Sequence, residues 1–302
     1  MSAAFTRTAS GLTNYNRFHG VDCMVYTEGV NVGGDSEVEV DGNIIPRPDV
    51  EYYSAILKAA APTKRFKVKC VGNKAAALTY AKNIELANAK NSFVIVDKDL
   101  EGVVCSTLMN GYVITTKGYS WENELWGSGT TVAVLSVLTN ENKMACNWVR
   151  DSVAAMGRRL RYIGALDAAA QTSGFAILKK TSALCGVQFT FGQTANPLSA
   201  AQCKKFGEIY RLSAANACPV SSAVFANARK LPVSEIVQGH FWSNATMRLM
   251  AHIYKVVVKD VAPSNTLLLN IGLSALRQNP PGTVGQAVIN YYQQNLQRLG
   301  IQ

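Results

Sequence analysis

The chain has 302 residues, 48% of them hydrophobic and 17% charged, enough for one large domain or two of roughly 150 residues each. Low charge and a mean hydropathy of +0.05 exclude a disordered chain, and no uninterrupted apolar run reaches the roughly 18 residues of a membrane-spanning helix. The net charge of +10 is lopsided: residues 1–130 hold 13 Lys and Arg against 14 Asp and Glu, and residues 131–302 hold 17 against 6, so the second half is expected to meet an anionic partner.

In chain order, the first apolar, β-branched run (VDCMVYT, 21–27) predicts a buried strand that ends at Glu28-Gly29. Residues 30–47 alternate polar and apolar around Asp41-Gly42, which predicts an inserted β-hairpin. Asp49 is then placed as the N-cap of a helix carrying Val50, Tyr53, Ile56 and Leu57 near helical spacing. RFKVKCVG (65–72) predicts a second strand, residues 73–90 an Ala-rich helix, SFVIVDKD (92–99) a third strand and GYVITTKG (111–118) a fourth. Strand alternating with helix is the order of βαβ units, so the fold class is α/β with a parallel sheet flanked by helices, and its site belongs at the carboxyl ends of the strands.

Gly127-Ser128-Gly129 interrupts this pattern near residue 130, after which the segments 145–170, 198–217, 243–261 and 284–300 are helix-like and only 174–178 and 187–191 suggest strands. The chain therefore divides into an α/β domain over 1–130, with a hairpin insertion at 30–47, and a basic, mostly helical region over 131–302. The densest basic groups of the second half are Arg158, Arg159 and Arg161, the pairs Lys179-Lys180 and Lys204-Lys205, and Arg229-Lys230. Each group reads either as a solvated helix surface or as a contact to phosphate.

Seven cysteines without a C-x-x-C spacing, and a start (MSAAFTRTASGLTNYNRF) without the basic-then-apolar pattern of a signal peptide, predict reduced thiols in the cytoplasm. Three histidines (His19, His240, His252) leave few members for a Cys/His zinc site or a Ser-His-Asp triad. Carboxylates are placed better. Glu28 ends the first strand, and Asp97 and Asp99 end the third. In an extended D-x-D the alternate side chains share one direction, so the two aspartates can reach one hard cation such as Mg²⁺. The competing reading of D-K-D-L-E-G is a solvated turn after a buried strand. Glu122 either opens a helix after an N-cap at Ser120 or orients a water at the metal. His240, after Gly239, reads as packed or capping, with a general acid as the competing reading, and His252 as part of the core.

The ordered set Y-T-E-G (26–29), F-V-I-V-D-K-D (93–99) and G-Y-S-W-E-N (118–123) resembles the TOPRIM domain, in which a glutamate after the first strand and a later D-x-D bind divalent metal for phosphodiester chemistry. The y-S-x-E-N segment and V-Q-G-H (237–240) are similar, more narrowly, to TOPRIM-like bacterial defence effectors of the AriB type, the nuclease subunits of PARIS anti-phage systems. The resemblance covers most of 21–126 and touches 235–255. It implies catalytic roles for Glu28, Asp97, Asp99 and Glu122, with Mg²⁺ or Mn²⁺ on Glu28, Asp97 and Asp99. Lys74, Lys98 and Lys117 lie near these acids in the sequence as candidates for phosphate contact, and the positive charge of the second half makes Arg158, Arg159 and Arg161 candidates for nucleic-acid contact. The resemblance further implies an abortive-infection toxin that hydrolyses RNA such as tRNA, or DNA. An ATPase subunit would restrain it, and the released form would be a homodimer. The family's acid shortly after E-G is displaced here by the hairpin to Asp49.

Two other functions fit parts of the sequence. A haloacid-dehalogenase-like phosphatase would use D-K-D, but residues 131–302 hold only Glu141, Asp151, Asp167, Glu208, Glu235 and Asp260, with no G-D-x-x-x-D. A non-catalytic nucleic-acid-binding or assembly module would keep the acids without the metal. Convergence of Glu28 with Asp97 and Asp99 separates this reading from the enzyme.

Overall fold

The computed structural model describes residues 9–29, 37–40, 43–106, 110–174, 176, 178 and 221–301. Helix α1 (Ala9–Phe18) leads into strand β1 (Cys23–Thr27), followed by an antiparallel pair, β2 (Glu37–Val40) and β3 (Asn43–Pro46), in which Val38 faces Ile45. This is the expected insertion; its Asp41-Gly42 turn lies outside the described residues. Helix α2 (Pro48–Ala60), β4 (Phe66–Cys70), α3 (Lys74–Leu86), β5 (Ser92–Val96) and β6 (Val113–Thr115) complete the α/β part.

The remaining described elements are all helices. They are α4 (Trp121–Leu125), α5 (Ser128–Leu138), α6 (Lys143–Gln171), α7 (Ser222–Ala228), α8 (Val233–Ile236), α9 (Gly239–Val258), α10 (Asn265–Gln278), α11 (Pro280–Val284) and α12 (Gln286–Arg298). The expected strand at 187–191, the expected helix at 198–217 and most of the expected strand at 174–178 lie outside the described residues, as do Lys179, Lys180, Lys204 and Lys205. No helix among the described residues is long and apolar enough to cross a membrane.

Four strands form one parallel sheet in the order β4-β1-β5-β6. β1 and β5 are buried along their whole length because both faces of the sheet are covered. Alternate side chains serve the two faces. Cys23, Val25, Phe93 and Ile95 join Tyr52, Tyr53, Ile56 and Leu57 of α2 in a cluster that continues through the C-terminal helices to Ile301. Met24, Tyr26, Val94 and Val96 pack with Leu12 and Tyr15 of α1 and Ala77, Ala81 and Ile84 of α3. The helical region therefore shares a core with the sheet.

Local sequence sets the helix ends. Arg47, not Asp49, is the N-cap residue of α2; Pro48, with its φ already fixed, takes the first helical position and moves Asp49 into the first turn, where an acid meets the positive end of the dipole. Asn73 caps α3 by accepting from the Ala76 N–H at 3.0 Å, and Asn142 caps α6 by accepting from the Ala145 N–H at 3.1 Å. The third strand stops at Val96, short of the expected 99, because Asp99 adopts φ +52°, outside any extended conformation.

Candidate functional site

From β1 the chain runs to β4 on one side, then through α3 to β5 on the other side of β1, so the strand order reverses between β1 and β5. The crevice outside the carboxyl ends at such a reversal is where open α/β sheets place their ligands. Glu28 follows β1 and Asp97 follows β5. The Asp97 backbone N–H donates to Glu28 Oε1 at 2.8 Å, which fixes the glutamate across the crevice, and the Trp121 N–H donates to the Asp97 carboxyl. Gly29 exchanges backbone hydrogen bonds with Gly72 at 2.7 and 2.8 Å in a conformation (φ +149°) that suits only glycine. A Cβ there would lie 2.7 Å from Asp49 Oδ2 and 2.8 Å from Cys70 Sγ, so the missing side chain lets Asp49 close over the crevice.

These groups open on a cavity of about 380 Å³ lined by Glu28, Asp49, Asp97, Glu122 and His240 together with Arg47, Tyr53 and Trp121. Burial, then the negative charges of Glu122, Glu28 and Asp99, hold the Asp97 carboxyl well above the usual carboxylate range. Among the described residues no ion pair offsets it, whereas Asp49 is paired with Arg47 Nε at 3.5 Å. Glu122, only 5% exposed, accepts a hydrogen bond from the Ser120 hydroxyl, and its Oε1 lies 2.9 Å from Nδ1 of the exposed His240. Ser120 thus occupies the expected N-cap position of α4 but spends its hydroxyl on side chains instead of backbone N–H groups. Gly239 opens α9 against this pair: a Cβ on it would sit 1.8 Å from Ser120 Oγ and 2.7 Å from Glu122 Oε2. The Glu122 carboxylate therefore rests on the first turn of a 20-residue helix, at its positive end.

Of the four expected acids, Glu28, Asp97 and Glu122 line one cavity and Asp99 does not. Its left-handed backbone ends the alternation that a shared D-x-D direction requires. Lys74 claims it instead, with Nζ 2.8 Å from Asp99 Oδ2, 2.8 Å from the buried Glu101 and bonded to the Asp97 carbonyl. Burial pulls the Lys74 ammonium down, but its bonds to Asp99 and Glu101 outweigh that and leave it raised. Lys98 is also engaged, at 2.6 Å from Glu235, and Lys117 does not line the cavity. Arg158 and Arg161 are exposed on a second cavity, while Arg159 is half-buried and absent from its lining.

Asp49 and His240 also line the site; the sequence marks them only weakly, Asp49 as the acid displaced past the hairpin and His240 as the end of V-Q-G-H, read first as packed or capping. No three or more His, Cys, Asp or Glu side chains among the described residues are gathered into a preformed metal cage. The donor chemistry is nonetheless that of a hard cation, since Glu28 and Asp97 offer oxygen only. Mg²⁺ is ordinarily held by one or two carboxylates, with water and substrate phosphate completing its shell. Comparison with protein-family models finds no match to this chain, and comparison with curated proteins finds none either.

Proposed function

We propose that this protein is a divalent-metal-dependent nuclease of TOPRIM type. The observation that carries the reading is the pairing of Glu28 with Asp97 at the reversal point of the strand order, with the Asp97 carboxyl half-buried among like charges and, among the described residues, in no ion pair. Buried carboxylates in one another's field are costly unless a positive ligand joins them. Glu28 and Asp97 would hold Mg²⁺ or Mn²⁺, which when bound supplies charge neutralisation for a phosphodiester and acidifies a water. The Asp97 N–H keeps Glu28 aimed into the crevice, and the Trp121 N–H does the same for Asp97. Glu122 orients His240 through Nδ1, and this imidazole, on the wall of the cavity, is the group that would exchange a proton with the reacting phosphodiester. Asp99, held by Lys74, shapes the loop and is not assigned a ligand role.

The resemblance extends this reading to an anti-phage effector in the cytoplasm acting on RNA such as tRNA, restrained by an ATPase subunit and dimeric when released. The test is incubation of purified protein with total tRNA and with plasmid DNA, in Mg²⁺, Mn²⁺ or EDTA, comparing wild type with Glu28→Gln, Asp97→Asn and His240→Ala. Cleavage that needs metal and falls at least about 100-fold in each variant supports the nuclease. Folded wild type that neither binds Mn²⁺ nor cuts either substrate overturns it and leaves the non-catalytic binding module.

A further inference from the structure

Helix α4 with its C-cap residue Trp126 is a wall shared by two cavities. Trp121 and Glu122 line the carboxylate cavity, while Asn123 and Trp126 line a second one of about 430 Å³. Arg150, Arg158 and Arg161 enter this second cavity from α6, all three on exposed positions of that helix. No acidic residue lines it, and among the described residues none of the three arginines is in an ion pair. Arg150 donates to Asn147 Oδ1 at 2.8 Å, which holds its guanidinium without neutralising it. Gly127 and Ser128, at the start of the 11-residue α5, also line the cavity; Gly127 is the N-cap and no side chain caps it. Trp126, which also lines the cavity, is fully buried, and its indole N–H has no hydrogen-bond partner among the described residues.

Three like charges around one small cavity repel one another, and an anion relieves that repulsion. Guanidinium groups fork onto phosphate oxygens, and a helix start adds backbone N–H donors to the same ligand. A helix with its side chains is about 10 Å across, the span of about three nucleotides at roughly 3.4 Å each. Resting on the nuclease reading, we propose that Arg150, Arg158 and Arg161 grip a backbone phosphate of the nucleic-acid strand, about three nucleotides from the bond facing Glu28 and Asp97.

The test is binding without cleavage: fluorescence anisotropy of a labelled single-stranded 12-mer, roughly four times the proposed span, with full-length protein in EDTA. Wild type is compared with Arg158→Ala/Arg161→Ala, with the double Lys replacement, and with Lys82→Ala on α3, an exposed charge outside both cavities. The proposal expects affinity to fall at least about tenfold in the double Ala variant with a salt slope shallower by roughly 1.4. It expects partial retention with Lys and little change in Lys82→Ala. Unchanged affinity, or an equal loss in Lys82→Ala, overturns it. Inorganic phosphate as a separate probe identifies the source: arginine-dependent phosphate binding without oligonucleotide binding overturns the strand reading in favour of a small anion. Arginine-dependent binding by a protein that cuts nothing upholds the grip while the nuclease reading fails.

Discussion

Lys98 Nζ lies 2.6 Å from Glu235 Oε2, so the loop that carries Asp97 is tied to α8, far along the chain. The Lys98 N–H also donates to Thr116 Oγ1 at 2.9 Å, which anchors the backbone independently. With the side chains 26% and 19% exposed, the pair lies between a surface bridge and a buried one, and a coupling of about 1–2 kcal/mol is expected. A double-mutant cycle with Lys98→Ala and Glu235→Ala in urea measures it. A coupling near zero would show that Thr116, not Glu235, holds the loop.

Asp97→Asn removes one negative charge from a group flanked by Glu122, Glu28 and Asp99 and keeps the side-chain carbonyl that accepts from Trp121. In metal-free buffer the variant is expected to be more stable than wild type, by a margin that grows as pH rises through the raised range in which the wild-type carboxyl ionises. Mn²⁺ should raise the melting temperature of wild type and leave the variant unmoved. A variant less stable than wild type without metal would show that the ionised carboxylate is already satisfied.

The α/β order, the parallel sheet and the strand before Glu28 were legible because they rest on short-range signals: β-branched runs, Ala-rich helix and polar breaks; the strand before Asp97 was legible too, but not its end at Val96. What the spacing could not show is a backbone reversal at one residue. D-x-D implies two parallel side chains only while the strand continues, and Asp99 leaves it. The contributions of Asp49 and His240 were hidden for another reason. Each reaches the site only through tertiary packing, Asp49 because Gly29 leaves room for it, and His240 because Gly239 brings α9 against Ser120 and Glu122.

Burial pushes the Cys70 thiol up to about 12, with Asp49 beside it adding to the shift, and pushes Cys23 up to about 11. At mildly alkaline pH both therefore hold almost no thiolate, whereas Cys105 is exposed. Peptide-mapped alkylation of native protein is expected to label Cys105 quickly, and Cys23 and Cys70 only after unfolding. Prompt labelling of Cys70 would show that the crevice behind Gly29 opens.

Glu124 gathers four donors: the hydroxyls of Tyr52 and Tyr292, the latter at 3.1 Å, and the backbone N–H groups of Lys117 and Gly118. It thereby joins α2, α4 and α12 behind the site. Glu124→Ala strands these donors in a buried place and is expected to cost at least about 3 kcal/mol; Glu124→Gln, which keeps an acceptor for the two N–H groups, should cost less. Burial holds the Glu124 pKa above the usual range despite the four donors. The folded state therefore binds this proton more tightly than the unfolded state, and wild type loses stability as pH rises from the ordinary carboxylate range through the raised value. That loss should be missing from Glu124→Gln, as urea midpoints across the acid range would show. An identical pH profile in both proteins would contradict the assignment.

Gly239→Ala would put a methyl 1.8 Å from Ser120 Oγ and 2.7 Å from Glu122 Oε2, so one side must move. The hydroxyl of Ser120 and the end of the glutamate are the movable atoms, and shifting them carries His240 away from its carboxylate partner. Overpacking of this kind costs about 1–3 kcal/mol. The proposed nuclease activity should fall further than stability explains, because proton exchange at His240 depends on its orientation. Adding Ser120→Ala removes the nearest atom and leaves only Ser120 Cβ, at 3.0 Å, and the flexible Glu122 end to accommodate. The double variant is therefore expected to recover stability relative to Gly239→Ala while regaining little activity, since Glu122 has lost the hydroxyl that positions it. Melting temperatures and cleavage rates of wild type and the two variants separate these effects; full recovery of both in the double variant would show that the Ser120 bond to Glu122 is dispensable.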